Sequence, residues 1–114
     1  LFIEPVEKQI DAAKTIGADI IELHTGYFCN LYERNDENYV EVLKALEKAA
    51  SYAHNLGLEV HAGHGLTFET VTPIAKLPEL VELNIGHFLI GESIFTGLKE
   101  AILRMRELMD KARL

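Results

Sequence analysis

Two spacings of apolar residues alternate along the chain. Leu1–Glu4 is a short extended run, and Pro5 behind it suits the first turn of a helix. Val6, Ile10, Ala13 and Ile16 follow at helical spacing until Gly17, a residue that readily ends helices. Asp19–His24 is short and β-branched, which predicts a strand, and Thr25-Gly26 closes it. The polar stretch from Tyr27 to Asn38 has no regular period and reads as a loop, with a lid as a candidate role on position alone. From Asn38 the helical period is strong, through Val40, Leu43, Leu46, Ala50 and Ala53 to the stop at Asn55-Leu56-Gly57. Leu58–Ala62 is a third strand, Phe68–Ala75 a short helix and Val81–Ile85 a fourth strand. A brief apolar helix from His87 to Phe95 and an amphipathic one from Leu98 to Ala112 end the chain, the latter with Ile102, Met105 and Met109 as its core stripe.

The predicted order is therefore β-α-β-α-β-α-β-α-α. Regular alternation with short connections implies parallel strands joined by right-handed crossovers. Strand side chains alternate between faces, and three strands share one pattern. Ile21 and Leu23 oppose Ile20, Glu22 and His24; Leu58, Val60 and Ala62 oppose Glu59, His61 and Gly63; Val81, Leu83 and Ile85 oppose Glu82, Asn84 and Gly86. An open sheet covered by helices on both sides would be apolar on both faces. One aliphatic face and one carrying Glu, His, Asn and Gly suit the wall and lumen of a (β/α)₈ TIM barrel. Four strands are half of such a barrel, so residues 1–114 read as the C-terminal half of a single domain, about four βα units plus a short extra helix. An N-terminal half is expected outside this chain.

Composition narrows the function classes. With 48 % hydrophobic and 25 % charged residues the chain is of ordinary globular composition. It carries 11 Lys+Arg against 18 Asp+Glu, a formal net charge of −7, and no basic stripe for nucleic acid. No apolar run is long enough to span a membrane, and a cytoplasmic home is the default expectation. Cys29 is alone, so an intrachain disulfide and a cysteine-based zinc set are excluded. With so few cations, a bound phosphate would have to rest on backbone N–H groups and helix dipoles.

Barrel active sites form where strands end, and three ends here are unusual. Glu22, facing the lumen, is either a structural carboxylate bonded across the barrel or a functional one. At His61-Ala62-Gly63-His64-Gly65, small residues let backbone and ligand approach closely, and His64 lies where a proton donor or acceptor would meet substrate. A metal pair and a structural His64 are the rival readings; no third ligand stands nearby, and no metal is expected. At Asn84-Ile85-Gly86-His87 a glycine turn feeds a short helix, the usual arrangement of a phosphate site in barrels. His54, on the long helix, reads as a solvated residue.

Taken together, Phe2-Ile3-Glu4, Ile21-Glu22-Leu23-His24-Thr25-Gly26, Ala62-Gly63-His64-Gly65-Leu66-Thr67 and Glu82-Leu83-Asn84-Ile85-Gly86-His87 resemble the C-terminal half of the pyridoxine 5'-phosphate synthase family. The likeness continues through Leu89-Ile90-Gly91 and Thr96-Gly97-Leu98-Lys99, in order and over nearly the whole chain. It implies a transferase of vitamin B6 biosynthesis that condenses 1-deoxy-D-xylulose 5-phosphate with 3-amino-2-oxopropyl phosphate, releasing phosphate and water, without metal or organic cofactor. It also implies that His64 is the proton donor, that Glu22 stabilises the transition state, and that Gly65, Gly86 and His87 bind phosphate. Self-association, typically into octamers, is implied as well. The family's proton acceptors, a histidine and a glutamate, belong to the other half of the barrel, so these 114 residues alone are expected to be inactive. The alternatives are another phosphate-binding barrel enzyme and a non-catalytic half-barrel.

Overall fold

The computed structural model describes residues 1–114. Four parallel strands form one sheet in the order β1-β2-β3-β4: β1 (Phe2–Ile3), β2 (Ile20–His24), β3 (Glu59–Gly63) and β4 (Leu80–Asn84). The connecting helices are α1 (Glu7–Thr15), α2 (Gly26–Glu33), α3 (Tyr39–Asn55) and α4 (Val71–Ala75), and α5 (His87–Thr96) and α6 (Leu98–Ala112) follow the last strand. Strands that neighbour in sequence neighbour in space, each reached by a helical crossover, as parallel pairing requires.

One face of the sheet is the core. Ile21, Leu23, Val60, Ala62 and Leu80 pack with Ile10 and Ala13 of α1, Leu46, Ala50 and Ala53 of α3, and Ile74 of α4. Small alanines on α3 bring that helix close to the strands, and the 17 buried residues form a single cluster. Burial of a side chain such as Leu23, with 0 % exposure, contributes about 1.5–3 kcal/mol. Gly17 and Gly57, after α1 and α3, have φ of +85° and +80°, the left-handed stop that glycine supplies without steric cost.

The other face is polar and partly open. Register places Phe2, Glu22, His61 and Glu82 in one row across it, and His24, Gly63 and Asn84 in the next. His61 is held between two carboxylates: Nε2 lies 2.7 Å from Glu59 and Nδ1 3.6 Å from Glu82. Parallel sheets are normally covered on both faces, and here one face is left partly open.

Several expected features differ in the structure. Val81 does not share the aliphatic face. The register slips between Val60 and His61, so that Leu80 pairs with Val60 and Glu82 with His61, and the extra residue Val81 is turned out to solvent. Pro5 precedes the first helix rather than opening it, since Val6 is the N-cap, and Val6 and Ile16 are exposed while Ile10 and Ala13 are buried. In α6 the core positions are Ala101 and Met105, and Ile102 is exposed. The short helix after β3 begins at Val71 rather than Phe68.

The largest difference is α2. Half of the expected Tyr27–Asn38 loop is helix, with Phe28, Cys29 and Leu31 buried beneath it. Phe28, Tyr32 and Tyr39 form an aromatic cluster that fastens α2 to α3, with ring centroids 5.0–6.3 Å apart. The turn between the helices is made by Asn35, at φ +53°, and by Asp36, whose carboxylate accepts from the backbone N–H and side-chain amide of Asn38.

Candidate functional site

The C-terminal ends of the parallel strands converge on a cleft of about 650 Å³. Glu22, His64, Gly65, Gly86 and His87, the five candidate catalytic and phosphate-binding residues, all line it, whereas His61 does not. Asn30 and Glu33 of α2 line it too, as do Phe2, Thr67, Asn84 and Phe88. No lysine or arginine does. A second cleft, of about 510 Å³, runs along β4 against α6 and contains none of these groups.

β2 supplies Glu22 from the open face, beside Gly63. A Cβ on Gly63 would run into the Glu22 carboxylate and lie 2.7 Å from the Asn84 carbonyl oxygen. Glycine is therefore required there by close approach, and it brings the Glu22 carboxylate against the residue preceding His64. Gly63 is the cross-strand partner of both His24 and Asn84, which ties three strand ends together.

His64 sits past the end of β3 with φ of +82°, followed by Gly65 at +79°. A left-handed non-glycine residue costs about 1–3 kcal/mol and persists only where its surroundings hold it. Here they do. The buried Thr25 hydroxyl lies 2.7 Å from the carbonyl oxygens of both Gly63 and His64, and the Thr25 backbone N–H donates to the Gly63 carbonyl. The His64 side chain is exposed to the cleft, with its ring 4.7 Å from that of His24, itself stacked on Phe2 at 4.8 Å. The Gly26 N–H donates to His24 Nδ1 at 3.0 Å, so the neutral His24 ring carries its proton on Nε2.

Gly86 and His87 begin α5. No side chain caps its first turn, which leaves the opening N–H groups free beside the cleft. Together with the helix dipole they favour negative charge at this end of the cleft. Phe88 of this turn meets Phe68 of the β3–α4 loop edge-on, with centroids 4.7 Å apart, and Arg104 of α6 lies over the Phe68 ring at 4.1 Å. These contacts fasten the two loops that flank the cleft.

Under the cleft floor lies Cys29. Its burial pushes the thiol above its usual range, against the lowering effect of hydrogen bonding with Thr70, and the nearby Glu33 carboxylate raises it further. Cys29 is thus a protonated packing residue at neutral pH. No group of three or more His, Cys, Asp or Glu side chains is arranged to hold a metal ion.

Asn30 and Glu33 lie outside the expected site because the sequence from Tyr27 to Asn38 reads as a loop. The signal was present in Phe28, Leu31 and Tyr32, spaced i, i+3 and i+4. Thr25 is not among the expected residues either, since Thr25-Gly26 reads only as the close of a strand.

The profile of the family described as "Pyridoxal phosphate biosynthesis protein PdxJ" matches residues 1–111. The chain belongs to this family. Among curated relatives, a protein of Roseobacter denitrificans named pyridoxine 5'-phosphate synthase is 58 % identical over 114 residues, 99 % of this chain and 46 % of the relative. Proteins of the same name from Zymomonas mobilis and Caulobacter vibrioides are 59 % and 56 % identical, again over 99 % of this chain and over 43 % and 45 % of theirs. The chain thus spans about half the length of the PdxJ-family relatives it matches.

Proposed function

We propose that this chain forms the proton-donor and phosphate-binding half of a pyridoxine 5'-phosphate synthase. The whole protein condenses 1-deoxy-D-xylulose 5-phosphate with 3-amino-2-oxopropyl phosphate, releasing phosphate and water. The observation that carries the reading is the convergence of Glu22, His64, Gly65, Gly86 and His87 on one cleft at the strand ends, in a chain of the PdxJ family. His64 gives a proton to an oxygen that leaves during ring closure, a task suited to imidazole near neutral pH. Glu22 stabilises the transition state. The Gly65 turn and the Gly86-His87 start of α5 hold a substrate or product phosphate.

The rest of the catalytic machinery belongs to residues beyond this chain. The open polar face and the unpaired edges of β1 and β4 are what the second half of a (β/α)₈ barrel would cover. Charge supports the same division. Glu22 and Glu33 face the cleft and no lysine or arginine does, so the complementary half supplies cations for a doubly phosphorylated substrate pair. The reaction needs neither metal nor organic cofactor, and the complete enzyme self-associates and works in the cytoplasm. The acidic balance speaks against nucleic acid as a partner, and no helix is long and apolar enough to cross a membrane.

Another phosphate-handling barrel enzyme, an isomerase or aldolase, would place a catalytic Lys or Asp at a strand end. The ends here carry His24, Gly63 and Asn84. The two unpaired edges also favour a non-catalytic half that pairs with itself. The test is to supply both substrates to the full-length protein and, separately, to residues 1–114, and to follow pyridoxine 5'-phosphate by fluorescence. Product from the full-length protein alone is expected. No product from either overturns the assignment, and product from residues 1–114 overturns the division of labour.

A further inference from the structure

The structure assigns Thr25 as the positioning residue for His64. Thr25 stands at the N-cap of α2, where a threonine hydroxyl ordinarily accepts from a backbone N–H of the first helical turn. It makes no such bond. Its hydroxyl is instead 2.7 Å from the Gly63 and the His64 carbonyl oxygens, across the gap between β2 and β3. The Thr25 backbone N–H adds a bond of 2.9 Å to the Gly63 carbonyl, so the strand end is gripped twice by one residue.

What is gripped is a residue in an unfavourable conformation. His64 has φ of +82°, a region non-glycine residues avoid. The carbonyl that follows its Cα is turned toward Thr25, with the Cys29 thiol 3.9 Å away on the same side. The side chain is left against the His24 ring at the cleft mouth. Gly26 completes the mount, because a Cβ there would lie 2.5 Å from the His24 ring and 2.9 Å from the His64 ring. Thr25 itself has 0 % exposure and does not line the cleft, so it acts through His64 and not on substrate.

This role rests on the reading of His64 as the proton donor. A displacement of the donor near 1 Å costs about 100-fold in rate. The test uses the full-length protein with Thr25→Val, which keeps the shape and removes the hydroxyl, and Thr25→Ser, which keeps the hydroxyl. Thr25→Val is expected to lower kcat about 10- to 100-fold with KM for both substrates changed less than about threefold. Thr25→Ser is expected to restore kcat to within about threefold, and the His64 ring resonances of labelled protein should move in the valine variant and not in the serine one. If Thr25→Val does not fold, Thr25→Ala serves against the same serine control.

A valine or alanine variant with unchanged kcat and unmoved His64 resonances overturns the positioning role. So does a serine variant as impaired as the valine one. His64→Ala is measured in parallel. If it abolishes turnover while Thr25→Val is fully active, only the positioning role falls; if it is itself fully active, the proton-donor reading falls and takes the positioning role with it.

Discussion

A methyl group at position 63 is the sharpest probe of how the cleft is built. In Gly63→Ala the new Cβ would overlap the Glu22 carboxylate, lie 2.7 Å from the Asn84 carbonyl oxygen and lie 3.1 Å from the Asn84 Cβ, where ordinary contact begins at 3.4 Å. The Glu22 side chain yields by rotation, which is cheap. The Asn84 carbonyl belongs to the backbone of β4 and must retreat by several tenths of an ångström, against the β3–β4 pairing. Overpacking of this kind costs about 1–3 kcal/mol. In a full-length protein of typical barrel size each kcal/mol lowers the melting temperature by about 2–4 °C. Function suffers more than stability, because the rotation takes Glu22 off the cleft and the shift of β4 carries Asn84 and the Gly86 turn behind it. A loss of about 10- to 100-fold in kcat is expected. The control is Gly86→Ala, whose added Cβ has nothing within 4 Å and should leave stability within about 0.5 kcal/mol of the parent. Urea unfolding and steady-state turnover measure both effects. A Gly63→Ala protein as stable and active as the parent would refute the close approach, as would equal destabilisation by Gly86→Ala.

Two further outcomes follow from other parts of the molecule. The Arg113 guanidinium donates to the carbonyl oxygens of Leu77, at 3.1 Å, and Leu80, and so ties the end of α6 to the start of β4; Arg113→Ala should cost about 1–3 kcal/mol in urea unfolding. An unchanged unfolding midpoint would show the tie to be idle. Burial raises the Cys29 thiol above its ordinary 9.0, so its contribution to stability is complete below that value and is lost as the pH rises through the folded-state pKa, once the unfolded thiol ionises first. Cys29→Ser should flatten that alkaline decline, and native Cys29, 1 % exposed, should react with iodoacetamide at pH 8 about 100-fold more slowly than in urea. Equal rates would contradict its burial.

Most of the fold was legible because βα alternation imposes two distinct periods on the sequence. Ile21, Leu23, Val60 and Ala62 alternate cleanly, and the structure buries all four. Val81 was misplaced because a bulge adds one residue to β4 without altering its composition, and parity counting then assigns its side chain to the wrong face. The helix α2 is hard to read because its helical spacing, at Phe28, Leu31 and Tyr32, is confined to eight positions among polar neighbours. The five candidate site residues were readable as strand-end His, Glu and Gly, and the structure brings them into one cleft. Thr25 was not readable. Its bonds to Gly63 and His64 join positions 38 and 39 residues apart, and no local pattern announces such a pairing.

The proposed role of His64, at the cleft mouth, is to donate a proton during pyridoxine ring closure. Single-turnover kinetics of full-length His64→Ala with both substrates tests it most directly. The rate of product formation is expected to fall by about 100- to 10,000-fold, with melting temperature preserved. Product formation at the parental rate would contradict it.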